Sequence, residues 1–367
     1  MKKPVIKMGS VDFVLFCTIL LLVTVGVIMV YSASSYTSFF GKQDSMFFLK
    51  KQALWAVIGI IAMFFTIKLD YHLVKKHIAL LMIVTTALLL VVFAFPANKG
   101  AQRWIPLGFA SLQPSEIAKY VVVAYTAKSL ENKGENVKSF FYGIIPYFIV
   151  SGIFAALVLA EKNLSIASVI MIVTIIMVFV GGSKISHLVS LASVVGVLGV
   201  IFILIEPYRL DRLLNFRNPW ADARDKGYQL IQSLLALGSG GITGLGIGQS
   251  RQKCYYIPEP HNDFIFSIIG EEMGFIGTTF VVLLFIIFVW RGIKIAMEAK
   301  DTFGSLLAVG ITSVVAVQAL INIAVVTGSM PVTGVPLPFI SYGGSSLVFN
   351  LMAMGVLLNI SRQSANV

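Results

Sequence analysis

Residues 206–220 read EPYRLDRLLNFRNPW, and residues 229–263 read QLIQSLLALGSGGITGLGIGQSRQKCYYIPEPHND. This polar stretch, Glu206 to Asp263, interrupts a chain that is otherwise a succession of apolar runs. Seven runs precede it and three follow. About twenty residues nearly free of charge are enough to cross a hydrocarbon core of roughly 30 Å as a helix. The expectation is an all-α polytopic membrane protein with ten transmembrane helices, forming a single membrane domain over 1–367. The expected spans are approximately 11–31, 50–67, 77–95, 112–129, 141–160, 163–181, 185–205, 264–290, 303–326 and 345–361. The 206–263 loop then falls between helices 7 and 8.

Composition points the same way. Of 367 residues, 57% are hydrophobic and 12% charged, a balance that excludes an ordinary soluble domain. The formal charge of +11 is spread over short connections rather than one basic face, which argues against nucleic acid and for orientation and contact with anionic lipid or phosphate. Lys and Arg concentrate in the connections on the N-terminal side, so both termini are expected in the cytoplasm and the large loop outside. Cys17 and Cys254 do not make a disulfide framework. The opening MKKPVIKMGSVDF leads into an apolar run without a prompt small-residue cleavage signal, which reads as an uncleaved first span.

Several polar groups need an explanation in so apolar a chain. In KGAQRWIPLGFASLQPSEIAKY (99–120), Pro114 suits a first helical turn, and Glu116 and Lys119 share one helical face. Such a pair costs desolvation energy and should face a cavity or another protein group, either holding helices together or bordering an active cavity. Arg103 and Trp104 sit at the expected membrane interface, where Arg can meet a phosphate through a bidentate fork. Asn163 suits a helix cap.

Within the loop, GYQLIQSLLAL has helical apolar spacing and is expected to lie on the membrane surface. GSGGITGLGIG lacks the ending of a phosphate-binding P-loop; its glycines suit tight turns and close backbone approach to a bulky ligand. In PEPHND, Pro258 and Pro260 flank Glu259 and stiffen the chain before Asp263, a carboxylate suited to a helix N-terminus. Glu271 and Glu272 follow about 12 to 14 Å further along that helix, beyond the spacing of a glycosidase carboxylate pair, and read as supporting groups. After a span carrying Gln318 and Asn322, VVTGSMPVTGVPLPFISYGGSSLVFN (325–350) reads as irregular backbone dipping into the membrane. That is tolerated only against protein or a cavity. The cavity is therefore expected beneath the loop, bordered by this segment and the fourth and eighth spans.

RWI…QPSEIAK at 103–119, NPW at 218–220, GYQLIQSLLALGSGGITGLGIGQSRQK at 227–253, PEPHNDFIFSIIGEEMGFIG at 258–277 and TGSMPVTGVPLPFISYGGSSL at 327–347 closely resemble the SEDS family of shape, elongation, division and sporulation proteins. The resemblance covers essentially the whole chain and is nearest the division and sporulation branch. It implies a peptidoglycan glycosyltransferase that polymerises lipid II outside the membrane with a class B penicillin-binding protein, and possible contact with other divisome or sporulation proteins. The carboxylate on which the family relies maps to Asp263. Cations for the departing pyrophosphate could come from Arg103, Lys119, Arg212, Arg217, Lys253 or a divalent ion, Mg2+ or Mn2+. Glu116, Glu259, Glu271, Glu272, Ser341 and Gly343 are expected to support the site. The chain departs from the family pattern at Asn163-Leu164-Ser165, where D-L-G is usual, and at Asn262, where H-T-D is usual. A lipid II flippase and a non-catalytic scaffold for the transpeptidase are the competing readings.

Overall fold

A computed structural model of the protein describes residues 9–97, 100–108, 111–205, 216, 218–225 and 227–364. The chain is helical almost throughout: α1 Phe13–Lys42, α2 Phe47–Lys68, α3 His72–Val91, α4 Pro114–Lys133, α5 Ile145–Ala160, α6 Leu164–Val180, α7 Ile185–Ile205, α8 Tyr228–Ser239, α9 Ile265–Glu298, α10 Thr302–Val326 and α11 Gly344–Arg362. One two-stranded antiparallel ladder, β1 Ile105–Pro106 with β2 Ser111–Leu112, precedes α4. Local chemistry sets several helix starts. Asp12 and Asp301 cap α1 and α10, accepting from Leu15 N at 2.9 Å and Gly304 N at 2.7 Å, and Asn163 caps α6 as expected.

The expected count of ten crossings is not met. Among the described residues, seven helices are long and apolar enough to cross a membrane: Phe13–Lys42, Phe47–Lys68, His72–Ala94, Phe140–Ala160, Ile265–Glu298, Thr302–Val326 and Gly344–Arg362. The three that fall short do so for distinct reasons. Helix α4 carries Glu116, Lys119, Lys128, Glu131 and Lys133, too much charge for an apolar span. Helix α6 has 17 residues, and α7 qualifies only as a shorter apolar helix over Ile185–Ile201. Reading apolar runs of the sequence as crossings overcounted them, and the expectation of both termini in the cytoplasm, drawn from the Lys and Arg in the connections between ten spans, goes with it.

Helix α10 runs through the interior, packed by α4, α6 and α9, while α2 lies along α11. The α2–α11 contact is close: Thr66 Oγ donates to Met352 O at 3.1 Å, and a Cβ on Gly355 would fall 1.9 Å from that hydroxyl. Small residues permit such backbone approach between membrane helices.

Helix α9 is broken near its middle, and the glycine-rich segment fills the break. Gly274 has φ 63 and ψ −160, which removes it from the helix. The backbone groups released there pair with residues 241–246: Leu245 N donates to Glu271 O at 3.0 Å, Gly246 N to Glu272 O at 2.9 Å, Phe275 N to Gly241 O at 2.9 Å and Ile276 N to Ile242 O at 3.1 Å. Every such group in an apolar setting must find a partner, and this strap supplies them. Close backbone approach was expected of these glycines; the surface approached is α9 itself. Helix α8, expected on the membrane surface, instead buries Leu230, Ile231, Ser233 and Ala236. Its Ser233 Oγ donates to Val326 O at 2.7 Å at the end of α10. The irregular segment between α10 and α11 dips inward as expected, with Leu337, Phe339 and Ile340 at most 2% exposed.

The strap leaves no room at Gly244, whose φ is 80 and whose added Cβ would sit 2.2 Å from Glu272 O. Gly244→Ala is expected to cost about 3 kcal/mol or more through overpacking and backbone strain. Thermal unfolding of the detergent-solubilised protein should show a melting temperature lower by roughly 5 °C or more. Gly152→Ala, whose Cβ meets nothing within 4 Å, should leave it unchanged or slightly raised.

Candidate active site

Above the break in α9, the chain from Pro258 to Phe264 folds into a turn that faces the irregular segment across a cavity of about 270 Å³. Gln229 of α8, Glu259, Asn262 and Asp263 of the turn, and Thr333 and Gly334 of the irregular segment line it. The cavity lies where it was expected, between the end of the loop, the start of α9 and the 327–343 segment. Helix α4 is not among its walls.

Asp263 stands at the start of α9, one residue before its cap position, Phe264. The turn is held by its carbonyls. His261 O accepts from Tyr342 N at 2.9 Å, Asn262 O from Ser341 Oγ at 2.8 Å, and Asp263 O from Asn322 Nδ2 at 2.7 Å. A Cβ on Gly334 would lie 3.2 Å from Asp263 Oδ2, so the facing wall is glycine where the carboxylate needs space. Asn262 Nδ2 donates to Glu259 Oε2 at 3.0 Å, drawing a second carboxylate to the same wall. Ser341 therefore braces the turn. Gln52 of α2 fixes the next bend, donating to Ser341 O and accepting from Gly343 N, both at 3.4 Å.

The remaining charged candidates lie elsewhere. Lys253 is 5% exposed, and its ammonium meets Glu272 Oε1 at 3.0 Å and Gly248 O at 2.7 Å. Ser32 Oγ of α1 donates to the same carboxylate at 2.6 Å. Glu271 accepts from Arg251 N at 2.9 Å, from Gln252 N at 3.3 Å and from the Ser250 hydroxyl. These two buried acids thus staple residues 248–253 onto α9, below the cavity. Glu116 and Lys119 pair at 2.7 Å inside the bundle; Lys119 also donates to Gln318 Oε1 at 2.9 Å, and Ser346 donates to Glu116 at 2.8 Å. That pair joins α4, α10 and α11. Arg103 Nε donates to Glu161 O at 3.3 Å, and its Nη2 to Lys162 O, which ties the segment before β1 to the α5–α6 turn. Arg212 and Arg217 lie outside the described residues.

Sequence reasoning missed Gln229, Thr333 and Gly334, which carry no charge and sit in unremarkable local patterns. Thr333 lines the cavity, and its hydroxyl is buried without a hydrogen-bond partner among the described residues. Asn322 was visible only as a polar residue in a span.

The chain matches the FtsW/RodA/SpoVE family, described as cell cycle protein, over residues 12–366. It is 46% identical over 363 residues to stage V sporulation protein E of Bacillus subtilis (strain 168), covering 98% of this chain and 99% of that protein. It is 43% identical over 358 residues to the probable peptidoglycan glycosyltransferase FtsW of Geobacter sp. (strain M18), covering 97% and 98%. Among solved structures it superposes with a TM-score of 0.79 and 25% identity on a chain of a peptidoglycan synthase complex that coordinates polymerization and crosslinking, covering 98% of this chain and 99% of that one.

Glu161, in the turn after α5, is fully buried, and among the described residues no donor meets either carboxylate oxygen at full hydrogen-bond geometry. Burial pushes its pKa up to about 8, with Arg103 and Ser115 pulling against it. An acid whose folded pKa is raised stabilises the fold in its protonated form, and that contribution is lost as pH rises from the ordinary carboxylate range, about 4.3, through the folded value. Glu161→Gln should therefore melt at the wild-type temperature near pH 4.5 and increasingly above it up to pH 8. A parallel offset at every pH would contradict this assignment.

Proposed function

Because the chain belongs to the FtsW/RodA/SpoVE family of cell cycle proteins, we propose that it polymerises lipid II into glycan strands, with Asp263 as the proton acceptor. The observation that carries this reading is a carboxylate on a turn held through three consecutive carbonyls, facing a cavity whose opposite wall is glycine. A general base must be within hydrogen-bond reach of the proton it takes, and preorganisation of this kind supplies that reach.

In the proposed step the 4-hydroxyl of the acceptor GlcNAc attacks C1 of the donor MurNAc. The new C1–O bond forms as the bond from C1 to the pyrophosphate oxygen breaks. The hydroxyl proton passes to the Asp263 carboxylate, and undecaprenyl pyrophosphate departs with the bonding pair. Direct displacement inverts the anomeric centre. One base suffices, because pyrophosphate leaves without a proton; its growing charge needs cations instead. Lys119 and Lys253 are each already paired with a buried Glu, and Arg103 is held at the α5–α6 turn, which favours Arg212, Arg217 or a metal ion for that role.

A divalent ion, Mg2+ or Mn2+, fits the donor set. Such ions are commonly held by one or two carboxylates together with substrate phosphates, and Asp263 and Glu259 line the same wall. Among the described residues no group of three His, Cys, Asp or Glu side chains would hold an ion alone. When bound, the ion would neutralise charge on the leaving pyrophosphate.

The same reading places the Asp263 cavity on the outer face of the cell membrane, at the division septum or the outer forespore membrane. A class B penicillin-binding protein is the proposed partner, crosslinking the strands made here. The likeness to a chain of a peptidoglycan synthase complex supports such a partnership.

Purified Asp263→Asn protein with its partner should bind lipid II yet form almost no glycan polymer. Wild-type polymerisation by that variant would sink the proposal, and transport of lipid II by the protein alone, indifferent to Asp263, would replace it with a flippase. Thr333→Val, which keeps the shape and removes the unpartnered hydroxyl, should raise KM for lipid II by about fivefold to tenfold, the worth of one lost hydrogen bond. An unchanged KM would remove Thr333 from the binding surface.

A further inference from the structure

We infer that Asn322 of α10 is a positioning residue for the Asp263 carboxylate, acting as a two-pronged pin between the turn that carries the acid and the segment that faces it. The inference rests on the reading of Asp263 as proton acceptor. Asn322 is 1% exposed. Its amide nitrogen donates one hydrogen to Asp263 O at 2.7 Å and the other to Val335 O at 2.8 Å. Asp263 lines one wall of the cavity, Val335 directly follows Gly334 of the facing wall, and neither residue is in a helix.

The chemistry of this position is narrow. A carboxamide offers two donors on one planar, uncharged nitrogen; a carboxylate of the same shape offers none, and a hydroxyl offers one. The Asn322 side-chain oxygen, Oδ1, is buried without a partner among the described residues. An orphaned acceptor is a standing cost that an apolar side chain would avoid. The two donated bonds offset that cost.

The three carbonyl anchors of the turn also differ in what lies behind them. Tyr342 N and Ser341 Oγ belong to the irregular segment, so they hold one cavity wall to the other. Asn322 alone among the three reaches from a membrane-crossing helix. One helical turn earlier on α10, Gln318 accepts from Lys119 of the buried ion pair, so the same helix is also fixed to α4. Asn322 therefore refers the position of the acid to the rigid part of the bundle. A displacement of about 1 Å at a reacting group is enough to lower a rate by about a hundredfold.

The test combines kinetics with amide exchange on purified full-length protein and its partner. Asn322→Ala and Asn322→Asp should lower kcat per folded molecule by about a hundredfold with KM for lipid II within about twofold of wild type. Asn322→Ser, which keeps one donor, should fall between. Peptides covering 257–264 and 331–338 should lose exchange protection together in Ala and Asp. A purely structural role would lower the melting temperature and the folded fraction while leaving kcat per folded molecule unchanged; that result, or loss of protection in only one of the two peptides, overturns the inference. If wild-type protein makes no glycan yet the two peptides lose protection together, the polymerase reading fails and the pin stands. If wild type polymerises and exchange is uncoupled, the pin alone fails.

Discussion

The backbone exchange at Gly274 is the constraint on which the rest of this protein depends. A membrane helix that leaves its own hydrogen-bond ladder exposes groups that the lipid cannot satisfy. Here residues 241–246 satisfy them, and in doing so they fasten the end of the large loop to the middle of α9. Once that strap is in place, the loop is no longer an insertion lying over the bundle. It is part of the helix it interrupts.

The buried charges follow from this arrangement. Glu271 and Glu272 sit on the last turn before the break, where two adjacent carboxylates in an apolar bundle would be expensive alone. Glu271 takes backbone amides and the Ser250 hydroxyl from the loop, and Glu272 takes Lys253 from the loop and Ser32 from α1. The staple and the strap act on the same short stretch of α9 from neighbouring parts of the loop. Between the staple and the first turn of α9 lie residues 254–264, and the stretch from Pro258 to Phe264 forms the acidic turn. Its freedom is removed by contacts from α10 and the irregular segment, so the carboxylate and the glycine opposite it are set by separate parts of the chain.

How much of this could be read from the sequence depended on the distance over which each feature acts. Pro258, Glu259 and Asp263 announce a stiff acidic turn at a helix start, and Asp263 does line the cavity with Glu259 beside it. The inward-dipping segment was legible because Gly and Pro recur where a helix would otherwise continue. The glycine-rich stretch was legible as a close-approach surface but not as the filler of a helix break. Its partner lies thirty residues on, and Gly274 looks like any glycine in an apolar run. For the same reason the meeting of Lys253 with Glu272 escaped, and so did the reach of Asn322 to a carbonyl of the turn. The number of crossings was misjudged because an apolar run need not be a long apolar helix; α6 has 17 residues, and α4, with its paired Glu116 and Lys119, is helical and buried without being apolar.

Residues 241–246 complete the ladder of α9 across its break. Residue-resolved amide exchange tests it most directly in the unmodified protein. The amides of Leu245, Gly246, Phe275 and Ile276, which donate across the break, should exchange as slowly as those in the interior of α10. Exchange of Leu245 and Gly246 at the rate of an open surface loop would contradict the account.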